Sequence, residues 1–87
     1  MQYRIPDDVL HRVVQSDTVI LNAVTNAYVS LNGSAGRIWE LFGAGHTADE
    51  VEVMMAEEFD VERGVLAADV ATTLQSLLQR GLLEPSN

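Results

Sequence analysis

Apolar and polar residues alternate with the period of β-strands along the first third of the chain. The run "HRVVQSDTVILNAVTNAYVSL" is rich in Val, Ile, Thr and Tyr, which favour extended structure. Two polar pairs, Ser16-Asp17 and Thr25-Asn26, interrupt it as turn signals. The pattern therefore predicts short strands at about residues 11–15, 18–23 and 27–31. Because their connections are short, neighbouring strands should be antiparallel and form a meander.

After the third strand, apolar residues recur every three or four positions, which is the spacing of a helix face. A first helix follows the polar break at residues 32–34, and Asn32 or Ser34 is its expected N-cap. A second helix opens at Thr47, which makes a capping box with Glu50 three residues later. The predicted core positions are Ala35, Ile38, Trp39 and Phe42 in the first helix, and Val51, Met54, Met55 and Phe59 in the second.

A third helix is predicted between Asp60, as its N-cap, and Gly81, which ends it. Leu82 and Leu83 should then fold back onto the core, and residues 85–87 should form a frayed tail. The apolar stripe of this helix comprises Leu66, Val70, Leu74, Leu77 and Leu78.

This order of elements predicts an α+β fold, in which three helices cover one face of a three-stranded antiparallel sheet. In the third strand, Val29 and Leu31 should point inward, because Leu31 adjoins the first helix. Tyr28 and Ser30 should point the other way, so Tyr28 is either an exposed aromatic residue or a contact for a partner. Such a meander has two unpaired edges, which a protein must protect or use.

Length and composition limit the chain to one small domain. It has 87 residues, of which 47% are apolar, enough for one core without a metal or a disulfide. It has no Cys, so thiolate chemistry and Cys-based zinc sites are excluded. The segment "MQYRIPDD" lacks the apolar run of a signal peptide, and no run approaches the ~18 residues of a membrane helix. We therefore expect a cytoplasmic protein that does not bind membranes.

The charge of the chain argues against nucleic acid as a partner. Thirteen acidic residues against five basic ones give a net charge of −8. Strands followed by three helices can form a DNA-reading winged helix, but phosphate binding is driven by Lys and Arg. A winged-helix regulator is therefore disfavoured.

No residue set for catalysis or metal binding is visible. His11 and His46 lie in different predicted elements, and neither has an Asp, Glu or His partner at ligand spacing. The stretch "NGSAG" misses the nucleophile-elbow pattern because Asn32 stands where its first Gly should be. The position of Ser34 indicates a helix cap. The weaker alternative is a phosphopantetheine attachment site, as in small acidic carrier proteins. The sequence thus predicts no catalytic residues, no metal and no cofactor.

Three segments of the chain carry a family signature through their order and spacing. They are "VILNAVTNAYVSLNGSAGRIWELF", "HTADEVEVMMAEEFDV" and "DVATTLQSLLQRGLL". In this order they resemble the strand–turn–strand–helix signature, the second helix and the third helix of the PqqD-like family. Together the segments extend the resemblance over residues 5–83. The family comprises precursor-peptide recognition elements of ribosomally made, post-translationally modified peptides (RiPPs). The resemblance implies a non-catalytic, winged helix-turn-helix-like recognition domain over residues 1–87, with a core at about 5–83.

The resemblance also implies a binding site. In this family, the leader of the precursor peptide adds as a further strand to the third strand and lies in a groove against the third helix. The positions implied here are Ala27, Tyr28, Val29, Ser30 and Leu31 of the strand, and Asp69, Val70, Thr73, Leu74 and Leu77 of the helix. Leu74 and Leu77 could belong to the core instead. Which strand residues direct their N–H groups outward stays open.

The partners implied are a precursor leader peptide and a modifying enzyme. A chain of this size resembles the stand-alone recognition proteins of lasso-peptide pathways, which present the leader to a cysteine-protease-like leader peptidase. The alternative is a peptide chaperone of pyrroloquinoline quinone (PQQ) biosynthesis, which delivers its precursor to a radical enzyme.

Overall fold

Residues 1–86 are the part of the chain that the structure, a computed structural model, describes. They form strands and helices in the order β1 (Gln2–Arg4), β2 (Val9–Val14), β3 (Asp17–Asn22), β4 (Tyr28–Leu31), α1 (Gly33–Gly43), α2 (Ala48–Phe59), α3 (Arg63–Gln79) and β5 (Glu84–Ser86). Strands β2, β3 and β4 form a three-stranded antiparallel sheet in that order. The predicted α+β fold is therefore confirmed, with each predicted strand displaced by at most two residues at either end.

The alternation of side chains in the sheet places one apolar face on the helices. Ile20 at the centre of β3 is completely buried, and His11 on the same face of β2 packs its ring edge on Trp39, with ring centroids 5.0 Å apart. Val29 and Leu31 of β4 point to this face and pack against the core, as predicted. Tyr28 points to the opposite face and is 68% exposed.

A second, two-stranded sheet joins the two ends of the described chain. Strands β1 and β5 pair antiparallel, with Gln2 opposite Ser86. Tyr3 holds this sheet on the core through an edge-to-face contact with Phe42, whose ring centroid is 5.5 Å away. The prediction of a frayed tail is therefore wrong for Pro85 and Ser86. They pair with β1, a strand that no local sequence pattern predicts. The remaining residue of the predicted tail, Asn87, lies outside the described residues.

The helices supply most of the core. Trp39 and Phe42 of α1 are buried, and the Trp39 Nε1–H donates a hydrogen bond to the Leu82 carbonyl oxygen at 3.0 Å. Leu82 and Leu83 are only 1% and 2% exposed, so the prediction that they fold back onto the core is confirmed. Within residues 1–86, the helices are too short or too polar for any of them to cross a membrane.

Two predicted helix starts are confirmed and one is wrong. The Asn32 side chain caps α1, and Thr47 and Glu50 form the capping box of α2. Asp60 does not cap α3. It ends α2 in the left-handed conformation, with φ of 52°, which Asp tolerates better than most residues. Glu62 takes the N-cap position of α3 without a side-chain hydrogen bond.

Phe59 also departs from the prediction of a core position. It is 46% exposed, whereas Val51 and Met55 on the same stripe of α2 are buried. Phe59 is the last residue of the helix, and the chain turns away at Asp60 before another element can cover the ring.

An ion pair outside the sheet ties α1 to α2. The Arg37 Nε–H group donates a hydrogen bond to Glu58 Oε2 at 2.9 Å. The guanidinium holds the pKa of the Glu58 carboxyl below its ordinary value. A lowered pKa in the folded state means that the contribution of this pair to stability is fully present above the ordinary glutamate pKa. It is lost as the pH falls through the lowered value.

Helix α1 approaches the sheet closely at Gly36, and this leads to a prediction. A Cβ atom on Gly36 would lie 2.6 Å from Thr18 Oγ1 and 3.2 Å from Thr18 Cβ. We expect Gly36→Ala to lower the free energy of unfolding by about 1–3 kcal/mol through overpacking. Gly64→Ala in α3 is the matched control, because nothing lies within 4 Å of its Cβ. It should raise stability by about 0.5–1 kcal/mol. Thermal unfolding of both variants checks this, and a Gly36→Ala protein that melts no lower than the wild type would contradict it.

Candidate functional site

Within residues 1–86, strand β4 has one unpaired edge. It lies at the end of the β2–β3–β4 sheet, and β3 is its only partner strand among these residues. Unpaired strand edges present a row of N–H and C=O groups on which another extended chain can pair. The outer side of residues 28–31 is called the open edge below.

A single hydrogen bond determines which residues serve the open edge. The Asn22 N–H donates to the Ala27 carbonyl oxygen at 2.8 Å, and the register places Ile20 opposite Val29. Hydrogen-bonded pairs alternate along an antiparallel ladder, so Val29 also bonds to β3, as does Leu31. Tyr28 and Ser30 therefore direct their N–H and C=O groups outward. The alternation of inward and outward N–H groups along β4 is called its parity here. The sequence left this parity open, and the hydrogen bond assigns it.

Helix α3 faces the open edge across a groove, called the β4–α3 groove here. Its central section has a volume of about 290 Å³ and is lined by Val29, Ser30, Leu31, Ala35, Thr72, Thr73, Ser76, Leu77 and Arg80. A section of about 310 Å³, the Asp69 section, is lined by Asn32, Ser34, Ala35, Ile38, Met55, Leu66, Asp69, Thr72 and Thr73. A smaller one of about 40 Å³, the Tyr28 section, is lined by Ala27, Tyr28, Val29, Arg80 and Leu82. Residues shared between sections make the groove continuous.

Most of the site residues implied by the resemblance line this groove. They are Ala27, Tyr28, Val29, Ser30, Leu31, Asp69, Thr73 and Leu77. Val70 is 0% exposed and belongs to the core, so it packs α3 on the core and does not line the groove. Leu74 packs against the core and lies outside the groove lining.

Sequence reasoning missed part of the lining. Thr72 and Ser76 of α3 and its C-cap Arg80 line the central section together with Thr73 and Leu77, and Ala35 of α1 also lines it. The α3 residues share a helical spacing of three or four, which could have indicated one polar face. The contributions of Ile38 and Met55 depend on how α1 and α2 cross α3, and the spacing of residues carries no such information.

Charge is sparse in the groove. Among its lining residues, Asp69 is the only acidic side chain and Arg80 the only basic one. They lie eleven positions apart, Asp69 within α3 and Arg80 at its C-cap, which corresponds to about 16 Å along the helix at 1.5 Å per residue. Neither side chain forms a salt bridge with any of residues 1–86. The groove therefore has one acidic and one basic end.

The polar side chains that could suggest catalysis have structural partners. The Ser34 hydroxyl donates to Asn32 Oδ1 at 3.1 Å, within the cap of α1. His46 Nδ1 lies 3.5 Å from Glu50 Oε1, beside the capping box of α2. The Thr47 N–H donates to the Glu50 carboxylate and holds its pKa below the ordinary value. Within residues 1–86, no three His, Asp or Glu side chains converge to hold a metal ion.

Comparison with known proteins finds similarity over most of the chain. Residues 17–83 match the family model of coenzyme PQQ synthesis protein D (PqqD). A structure of TbiB1 in complex with the TbiA(beta) leader peptide is 27% identical with a TM-score of 0.85, covering 97% of this chain and 98% of that one. A structure of lasso peptide synthetase B1 complexed with the leader peptide is 25% identical with a TM-score of 0.86, covering 98% and 100%. No curated protein matches the sequence.

The extent of the family match decides the classification. It runs from the start of β3 to Leu83, after the end of α3, and so includes β4, α3 and every element between them. The resemblance inferred from the strand and helix motifs is therefore confirmed, and the chain belongs to the PqqD family.

Proposed function

We propose that this chain is a leader-peptide-binding protein of a RiPP pathway, and that the pathway makes a lasso peptide. The observation that carries the proposal is the similarity to two structures solved with a leader peptide, at TM-scores of 0.85 and 0.86. The β4–α3 groove provides a place for such a peptide. Residues 1–87 would act as one recognition domain.

Binding would occur by strand addition to the open edge. An extended leader segment would exchange backbone hydrogen bonds with Tyr28 and Ser30, whose N–H and C=O groups face outward. Alternate side chains of the leader would then enter the groove against Thr72, Thr73 and Ser76. In this mode of recognition, backbone bonds supply general affinity and the side-chain pockets supply specificity.

The protein would act without catalysis of its own. The groove lining contains hydroxyl groups but no His that could activate one, and no cofactor is needed for strand addition. It would hold the leader in the cytoplasm for a separate enzyme, a cysteine-protease-like leader peptidase or another modifying enzyme. A second candidate function is a peptide chaperone of PQQ biosynthesis acting with a radical enzyme, which the description of the matching family model favours.

Titration with leader peptides tests the proposal. The protein is titrated with the leader half of a candidate precursor peptide from its own genome, and a scrambled version of that leader serves as the control. We expect saturable one-to-one binding of the leader alone. Amide chemical shifts should change at Tyr28–Leu31 and along the 72–80 face of α3. No saturable binding of the leader would contradict the proposal, and saturable binding of a PQQ precursor in its place would select the second candidate.

Mass spectrometry after the same incubation tests the absence of catalysis. The precursor should keep its mass when only this protein is present. Cleavage or modification of the precursor would contradict the non-catalytic role. A phosphopantetheine adduct on Ser34 after treatment with a transferase would instead favour a carrier protein.

A further inference from the structure

The basic end of the groove carries an arginine that has no salt-bridge partner among residues 1–86. With 13 acidic residues against five basic ones, a carboxylate partner is available for most arginines. Arg4, Arg37 and Arg63 each form a salt bridge, with Glu84, Glu58 and Glu52 respectively. Arg12 and Arg80 have no carboxylate within salt-bridge distance among residues 1–86, and of these two only Arg80 lines the groove.

Arg80 is placed to meet a peptide at the open edge. It lies at the end of α3 and lines both the central and the Tyr28 sections, each time together with Val29. A strand paired with Tyr28 would therefore pass beside Arg80. Arginine binds a carboxylate through two parallel hydrogen bonds, so an Asp or Glu of the peptide is the side chain that this position would hold best.

The opposite end of the groove has the opposite preference. Asp69 is exposed, has no salt-bridge partner among the described residues, and lies beside Asn32 and Ser34, past the end of β4. The other lining residues there are uncharged. A Lys or Arg of the peptide would find in Asp69 the single charged group of that section.

The distance between the two ends sets a spacing in the peptide. About 16 Å along α3 corresponds to roughly five residues of extended chain at ~3.3 Å per residue. If the added strand continues the antiparallel order of the sheet, its N-terminal end lies at the Asp69 section and its C-terminal end at the Tyr28 section. The basic residue of the peptide then precedes the acidic one.

We infer that the β4–α3 groove selects leader segments in which a Lys or Arg precedes an Asp or Glu by about five residues, with Arg80 holding the acid and Asp69 the base. The two charges also fix the direction of the bound strand, because a reversed strand would place like charges together at both ends. This inference rests on the proposed function.

A charge-swap experiment tests the pairing. The probes are the leader used in the titration above, labelled with fluorescein, and the same leader with its Asp and Glu residues replaced by Lys. We expect Arg80→Glu to weaken binding of the native leader at least tenfold at low salt, and to bind the Lys-substituted leader more tightly than the wild type does. Arg12→Glu is the matched control, since it makes the same change of charge at the other unpaired arginine, on β2 and outside the groove. It should leave both affinities within about twofold.

The outcomes separate this inference from the proposed function. If the wild type binds the native leader and Arg80→Glu binds both probes as the wild type does, the charge pairing is wrong and the proposed function stands. If Arg80→Glu and Arg12→Glu weaken binding equally, only the total charge matters and the pairing is again wrong. If the wild type binds no leader, both fail. If Arg80→Glu melts at a lower temperature than the wild type, Arg80→Gln replaces it. This variant should also bind the native leader more weakly, and the Lys-substituted leader more tightly, than the wild type does. Asp69→Lys tests the acidic end of the groove.

Discussion

Ser30→Pro should weaken leader binding about 100-fold and leave the protein folded. The N–H group of Ser30 faces the open edge, so its loss removes no hydrogen bond to β3. The proline ring would occupy the position at which an added strand must accept that hydrogen bond. We expect the dissociation constant to rise about 100-fold, equivalent to ~2.7 kcal/mol. Calorimetric titration with the leader peptide, and thermal unfolding of the free variant, provide the two measurements.

Val29→Pro is the control for that variant, because the same ring is placed one residue away with the opposite parity. The N–H group of Val29 faces β3, opposite Ile20. Its loss removes a hydrogen bond of the ladder, so this variant should melt at a lower temperature than Ser30→Pro. A Ser30→Pro protein that stays folded and binds the leader with wild-type affinity would rule out strand addition at β4. A higher melting temperature for Val29→Pro than for Ser30→Pro would show that the assigned parity is wrong.

Thr73→Arg should weaken leader binding at least tenfold, equivalent to ~1.4 kcal/mol, with little change in the melting temperature. Thr73 is half-buried and lines both the central and the Asp69 sections of the groove, so a long charged side chain there competes with the leader for space. The fold should tolerate it, because the new side chain can extend along the open groove into solvent.

Gln75→Arg is the matched control for Thr73→Arg. It introduces the same charge on the same helix, but Gln75 is exposed and lies outside the groove lining. Its affinity for the leader should equal that of the wild type within about twofold. Equal affinities for the two variants, measured by the same titration, would remove α3 from the proposed binding site.

Local features of the fold could be predicted from the sequence because neighbouring residues determine them. The capping box at Thr47 and Glu50 and the cap at Asn32 need only side chains within three residues of the helix start. The meander follows from alternation and short turns, and the open edge follows from having three strands in order. The eight groove residues on β4 and α3 came from the family resemblance, since no physical rule marks a polar residue such as Thr73 as a contact.

Features that depend on distant parts of the chain could not be predicted. The pairing of β1 with β5 joins two three-residue segments, neither of which has an alternating pattern long enough to indicate a strand. Asp60 fits the rules for both ends of a helix, and only the course of the chain between α2 and α3 decides that it ends α2. The parity of β4 needed the single hydrogen bond between Asn22 and Ala27.

The pairing of β1 with β5 has a consequence for the order of folding. The pairing of Gln2 with Ser86 closes a loop that contains almost the entire chain. Closing this loop lowers the chain entropy before the few contacts between β1 and β5 can compensate for that loss. This small sheet should therefore assemble last and open first, with faster amide exchange at Tyr3 than at Ile20. None of its residues lines the β4–α3 groove, so its opening and the capture of a peptide should be independent equilibria. A bound leader should then slow exchange along β4 and leave β1 unchanged; equal slowing of both would show that the two ends of the molecule are coupled.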